Sequence, residues 1–185
     1  MSGWEAVREF VETSEFWSEF VYRDELDSTN RFLRNYEEQQ SGTIVLARTQ
    51  LAGRGKGKRK WHSPPGGLWF SFSLGELPAE SPQKLYVEIL EILRGLLADY
   101  GADTRISRPN DLVVDDGKVA GSLIEQSGES YIVGLGLNVN NDLSRLPKGV
   151  RRRSKSLSQV LGREVDRDEL LREFLDRFER YCKDD

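Results

Sequence analysis

Among 185 residues there is one cysteine and one histidine. Cys182 has no second cysteine with which to form an internal disulfide, which fits a reducing, cytoplasmic setting. Cys182 and His62 together fall short of the four ligands that a structural zinc site takes. No apolar run approaches the ~20 residues that span a bilayer. The opening MSGWEAVREF lacks both the basic n-region and the apolar h-region of a secretory signal. Two common phosphate-binding devices are absent as well: there is no G-x-x-x-x-G-K-[ST], and no strand runs into G-x-G-x-x-G and a helix. No internal repeat appears.

Hydrophobic residues make up 37% of the chain and charged residues 31%. The length fits one domain. Apolar clusters at Leu68-Trp69-Phe70 and Tyr131-Ile132-Val133 provide for a core. Net charge is −4, yet the cations are unevenly spread. Arg54, Lys56, Lys58, Arg59 and Lys60 are interleaved with Gly53, Gly55 and Gly57 and followed by Trp61 and Pro64-Pro65-Gly66-Gly67. Glycines let backbone amides approach an anion, and Lys and Arg neutralise it. A phosphate ligand is expected here, with the Trp61 face available for a base to stack on.

Along the chain, residues 4–20 predict two short helices broken near Thr13-Ser14. A strand follows at 21–26. Asp27-Ser28-Thr29-Asn30 reads as an N-cap for a helix over 31–39. Residues 43–49 are a β-branched strand, 50–66 the cationic loop, and 67–74 the next strand. The longest helix covers 83–100 and ends at Gly101. Strands at 111–115, 118–126 and Ser130–Leu137 are separated by hairpin turns at 115–117 and 127–129. A loop, a short helix at Leu157–Leu161 and a helix over 166–183 complete the chain. The fold class is therefore α+β, with a mixed, mainly antiparallel sheet and helices largely on one face.

Four stretches in order resemble the biotin protein ligases. They are Asp27-Ser28-Thr29-Asn30; Gln50 with Gly53-Arg54-Gly55-Lys56, Arg59-Lys60-Trp61 and Ser63-Pro64; Ser107-Arg108-Pro109-Asn110-Asp111 leading to Lys118-Val119-Ala120-Gly121; and the G-L-G-L-N-V-N run over 134–140. The resemblance covers about residues 21–140 and implies the class II synthetase-like fold of the biotin/lipoate ligase superfamily. It also implies an ATP-dependent enzyme that makes biotinyl-5'-AMP and transfers biotin to a lysine of a biotin carboxyl carrier protein, with Mg²⁺ carried by the nucleotide and no metal held by the protein. Residues 1–185 are expected to be one catalytic domain, without the N-terminal DNA-binding domain or the C-terminal β-barrel of some relatives. No nucleic-acid or membrane partner is expected. Homodimers in the family pair through the sheet, for which Ser130–Leu137 is the candidate strand. The sequence departs from the family pattern at Lys56, where arginine is usual, and at Ser107-Arg108, where Lys-Trp is usual.

By this resemblance, Lys118, Arg54 and Asp111 are catalytic. Lys118 would bridge the biotin carboxylate and the phosphate, and Asp111 would face the acceptor amine. Ser28, Thr29, Gln50, Gly53, Arg54 and Lys118 would bind biotin. Lys56, Arg59, Trp61, Asn110 and Asn138 would bind ATP and the adenylate. Each residue alone has a plainer reading. Ser28-Thr29 is an N-cap, Asp111 a turn residue, Lys118 a hairpin lysine, and Asn138 a strand-end partner for backbone. Trp69 reads as core, His62 as a bystander and 151–155 as a solvated loop. Two other functions stay open: a lipoate or octanoyl ligase of the same superfamily, and a non-catalytic binder of biotin, adenylate or nucleic acid.

Overall fold

Among the described residues, seven strands, β1 (Glu19–Leu26), β2 (Thr43–Gln50), β3 (Leu68–Leu74), β4 (Arg105–Ser107), β5 (Asp111–Val114), β6 (Gly117–Ser127) and β7 (Ser130–Leu137), form one sheet in the order β1-β2-β3-β7-β6-β5-β4. The computed structural model describes residues 3–57, 59–107 and 109–184. Lys58 and Arg108, which belong to the cationic loop and to the departure at 107–108, lie outside the described residues. Only β1 and β2 run parallel, and the connection between them carries helix α2 (Thr29–Arg34). All other pairings are antiparallel.

Period-2 alternation assigns the two faces. Leu68, Phe70, Phe72 and Leu74 of β3 join Val133, Leu135 and Leu137 of β7 in the main core. Over this face lie α3 (Pro82–Asp99) and α6 (Arg167–Asp184), with α1 (Glu5–Thr13) beside them. Helix α3 buries Leu85, Ile89, Leu90, Leu93, Leu96 and Leu97, a stripe of the spacing that a buried helix face requires. The Asp168 carboxylate accepts from the Ala6 and Val7 N–H groups at 3.0 Å each, satisfying donors at the start of α1. The helices thus lie largely on one face, as expected, with one exception. Helix α2 sits on the other face, where Leu33 meets Val21, Val45 and Ile132.

Several sequence expectations are corrected. The second N-terminal helix is absent: Ser14 Oγ accepts from the Phe16 and Trp17 N–H groups and turns the chain toward β1. Helix α2 ends at Arg34 instead of residue 39. There the Tyr36 ring stacks on Phe32 and its hydroxyl donates to Glu19 at 2.9 Å, which pulls the chain back to the sheet. Strand β4 and the short helix α4 (Lys148–Arg151), which precedes α5 (Leu157–Leu161), are too brief for periodicity to announce. Strand β7 lies between β3 and β6, so both its edges are filled and it cannot pair with a second copy. No helix among the described residues is long and apolar enough to cross a membrane.

Candidate active site

On the face opposite the main core, α2 and the loop over 50–66 frame a cleft that β5, β6 and β7 close from below. Ser28 caps α2, its hydroxyl accepting from Arg31 N–H. The next residue is held across the cleft wall: Thr29 donates to Gln50 Oε1 from its N–H at 2.8 Å and from its hydroxyl at 3.1 Å. The Gln50 amide in turn donates to Ser63 Oγ at 2.7 Å. Ser71 Oγ lies 2.6 Å from both Thr29 Oγ1 and Asn30 Oδ1. Ser28, Thr29, Asn30, Ser63 and Ser71 are all buried. Such a connected polar wall is rigid because each group already has a partner.

Two glycines make the floor. A Cβ at Gly134 would overlap the Asn30 amide, and one at Gly136 would overlap the Trp61 indole. The G-x-G spacing places both on the same face of β7, where any larger residue would fill the space those side chains occupy. Gly53 fits a similarly tight place between Trp61 O, Ser63 and Gln50.

The cationic loop folds as a short antiparallel pair. Gly55 N–H donates to Arg59 O and Trp61 N–H to Gly53 O, each at 2.9 Å, with Arg54 and Lys60 facing one another. Its tip, Gly57, has φ of +71°. Arg54 is not a free cation: it lies 3.1 Å from Glu125. Glu125 is also 3.3 Å from Arg34 and accepts from the Asn30 amide at 2.9 Å. Lys56 Nζ stands 5.9 Å above the Tyr86 ring. Burial pushes the Tyr86 hydroxyl pKa up, the hydrogen bond to Ile124 opposes this, and the Glu125 charge adds to the rise.

At the other end of the cleft, Lys118 Nζ lies 2.6 Å from Asp111 Oδ1 and 4.7 Å from the centre of the Trp61 ring, within cation–π range. The Lys118–Asp111 contact is a close ion pair without hydrogen-bond alignment, so buried Oδ1 has no aligned donor. Trp61 Nε1 is likewise buried and unpartnered among the described residues. Gly121 makes the pair possible, because a Cβ there would sit 3.0 Å from Lys118 Nζ and 3.1 Å from Asp111 Oδ1. A β-bulge opposite Leu112 and Val113 keeps Lys118 and Gly121 on one face despite their odd spacing. Asn110 locks the turn before Asp111: its amide donates to Ser122 O at 2.6 Å, and Ser122 N–H donates back to Asn110 O at 3.0 Å.

Of the residues singled out by sequence, Ser28, Thr29, Gln50, Arg54, Lys56 and Arg59 line the cleft. So do Trp61, Asn110, Asp111 and Lys118. Two do not. Gly53 lies behind the loop, and Asn138 is buried at the end of β7, donating to Lys118 O at 3.3 Å and accepting from Asn141 at 3.0 Å. Asn138 therefore holds the Lys118 backbone. Trp69 is buried, as expected of core, but on the cleft side, with its ring 6.2 Å from that of Trp61. His62 lines a separate surface hollow with Arg145 and Leu146. Sequence reasoning missed Glu125, Arg34 and Ser71. The available signal was the alternation Gly121, Leu123, Glu125, which carries an acid onto the face of a strand that holds a glycine floor.

The profile of the Biotin/lipoate A/B protein ligase family matches residues 22–142. The Bifunctional ligase/repressor BirA of Bacillus spizizenii is 31% identical over 188 aligned residues, covering 96% of this chain and 58% of that protein. The Biotin–[acetyl-CoA-carboxylase] ligase of Paracoccus denitrificans is 36% identical over 123 residues, covering 61% of this chain and 51% of that protein. The chain thus spans little more than half the length of these relatives. A biotin protein ligase from Aquifex aeolicus, solved in complex with biotin and ATP, superposes with a TM-score of 0.83 at 32% identity, covering 90% of this chain and 71% of that one.

Proposed function

The chain belongs to the Biotin/lipoate A/B protein ligase family, and from that premise we propose that it joins biotin to a lysine of a biotin carboxyl carrier domain through biotinyl-5'-AMP. The observation that carries this reading is the Lys118–Asp111 ion pair beside the Trp61 indole. It sets a cation, its carboxylate partner and an aromatic face at one end of a cleft whose other end is a polar wall.

In the first step the biotin carboxylate attacks the α-phosphorus of ATP, a phosphorus–oxygen bond forms, and pyrophosphate leaves with the electrons of the broken one. Negative charge gathers in this transition state, so fixed cations are the chief catalytic means. Lys118 bridges the carboxylate and the phosphate in this reading, with Arg54, Lys56 and Arg59 along the loop. Mg²⁺ carried by the nucleotide would neutralise its phosphates. Thr29, Gln50 and Ser28 supply polar partners for the ureido ring, and the Trp61 face receives adenine. Closing the glycine-rich loop over the mixed anhydride keeps water from hydrolysing it.

In the second step the neutral amine of the acceptor lysine attacks the acyl carbon and AMP departs. Free lysine has a pKa of roughly 10.4, so a proton must be drawn off. The Asp111 carboxylate, paired with Lys118 at that end of the cleft, is the group that orients the amine and accepts that proton.

The test is biotin-dependent exchange of labelled pyrophosphate into ATP, with lipoate in parallel and Lys118→Ala as control. Exchange with biotin alone, lost in the variant, is the expected result. Exchange with lipoate alone moves the chain to the lipoate branch, and exchange with neither makes it a binder without adenylation chemistry.

A further inference from the structure

Residues 143–155 carry six Lys or Arg and no Asp or Glu, in a chain whose net charge is −4. Arg145 is answered by Asp142 at 3.5 Å and Lys155 by Asp115. Lys148, Arg151, Arg152 and Arg153 are exposed, and none has a carboxylate partner among the described residues. Lys148 opens α4, Arg151 closes it, and Arg152 continues its helical backbone. The three therefore stand at i, i+3 and i+4 on one face, a spacing at which like charges destabilise the helix that bears them. Arg153 folds back so that its Nε donates to Gly149 O at 3.3 Å, adding a fourth charge to the same turn.

Arg151, Arg152 and Arg153 are solvated, as the sequence implies, but the backbone of the run is fixed. It is pinned at Lys118: Lys118 N–H donates to Arg153 O at 2.8 Å, and Lys155 N–H donates to Lys118 O at 3.0 Å. Leu157 and Ser158 N–H groups then donate to Asn138 O and Val139 O at 3.0 and 2.9 Å. A Cβ at Gly117 would overlap the Lys155 side chain, so the crossing of these segments depends on a glycine. At its near end the run touches the loop, where Arg145 and Leu146 border the same hollow as Trp61 and His62. The backbone thus fixes a small cationic surface next to Lys118, one of the residues that line the cleft.

We infer that Lys148, Arg151, Arg152 and Arg153 form a docking surface for an acidic face of the acceptor protein. This rests on the proposed ligase reading and adds to it the side from which the protein substrate approaches. Acidic side chains flanking the acceptor lysine would pair with the row while that lysine reaches Asp111. Complementary charge raises the association rate and fixes register. A nucleic acid is the poorer fit. The surface spans about one helical turn, and the rest of the chain carries a net charge that repels a long polyanion.

The experiment uses the full chain and its Lys148→Glu/Arg151→Glu/Arg152→Glu variant, with a purified biotin carboxyl carrier domain as acceptor. Pyrophosphate exchange and biotin transfer are measured separately. The expected result is an unchanged exchange rate, a KM for the carrier raised tenfold or more, and a carrier KM of the parent that climbs with salt. Reversing acidic residues around the carrier lysine to Lys should restore transfer by the variant. An unchanged carrier KM with intact exchange overturns the inference and leaves the ligase reading standing. So does salt-sensitive binding of duplex DNA by the parent that the variant loses. Absence of exchange in the parent overturns the ligase reading itself. Should the triple variant not fold, Arg152→Gln and the salt dependence of the parent KM decide the matter in the same directions.

Discussion

Arg54 and Glu125 face each other at 3.1 Å across the cleft wall, with the Arg54 side chain 36% exposed and that of Glu125 only 16%. The loop arginine that the sequence offers as an anion-binding cation is thus tethered to β6. Because Glu125 also holds Arg34 and Asn30, one carboxylate sets the position of the loop, the end of α2 and the amide above Gly134.

Removing that carboxylate should be costly in two ways. Glu125→Ala leaves two guanidinium groups near one another and an amide unpaired. Hydrogen bonds to charged groups are worth about 1.5–3 kcal/mol, and half-exposed ion pairs less, so a loss of about 1–3 kcal/mol in urea unfolding is expected. KM for biotin should rise more than kcat falls, because Arg54 loses its fixed direction while Lys118 is untouched. An unchanged KM would mean that the tether has no bearing on the site.

Much of the frame is legible in the sequence. The strand Ser130–Leu137 and the helix Leu157–Leu161 have the bounds that their patterns predict. Lys118 and Asp111 can be singled out because their motifs are distinctive, yet their closeness depends on a bulge in β5–β6 pairing that no local pattern announces. Glu125 was illegible for another reason: an acid in a strand has many fates, and only the arrival of Arg34 and Arg54 from distant segments gives it this one. The bond from the buried Asn138 amide to Lys118 O was equally illegible, because it joins two segments that no local pattern brings together. The N-terminal stretch misled because Phe16 and Trp17 continue a helical spacing but follow a bend held by Ser14, from which Trp17 buries its ring and donates to Leu175 O.

The glycine floor separates the two halves of the cleft. Gly136→Ala would force a methyl into the Trp61 indole, and Gly134→Ala one into the Asn30 amide. Overpacking of this kind costs about 1–3 kcal/mol. Gly136→Ala should weaken ATP binding and shift Trp fluorescence, with the smaller effect on biotin. Gly134→Ala should do the reverse. Calorimetric titration of each variant with each ligand checks the crossover, and equal losses for both ligands would refute the division.

Tyr100 ties the end of α3 to α6, its hydroxyl donating to Glu173 at 3.2 Å. Burial, then the Glu173 charge and hydrogen bond, push its pKa from 10.0 up to about 12. The folded state therefore favours the neutral phenol. This stabilisation is complete below the unfolded pKa of 10.0 and fades as pH rises toward about 12. The Tm advantage of the parent over Tyr100→Phe should accordingly shrink across that window. A gap constant with pH would show that the hydroxyl does not titrate with folding.

The Lys118–Asp111 pair allows the two chemical steps to be separated. Lys118 is the nearer to the charge that develops at phosphorus in the proposed reaction, so Lys118→Ala should abolish pyrophosphate exchange and, with it, transfer. Asp111 has a different place: its Oδ1 is 2.6 Å from Lys118 Nζ but lacks an aligned donor. Asp111→Asn keeps the shape while removing the charge and the basic oxygen. Exchange should fall modestly, because Lys118 loses its counter-charge and gains freedom. Transfer to the carrier lysine should fall further, by about 10²–10⁴-fold, the usual contribution of a positioned base. Raising the pH supplies neutral amine from solution, so the transfer deficit of Asp111→Asn should narrow in alkali while the exchange deficit of Lys118→Ala stays. If exchange and transfer fall by the same factor in Asp111→Asn at every pH, the carboxylate serves only to hold Lys118, and the acceptor amine must lose its proton elsewhere.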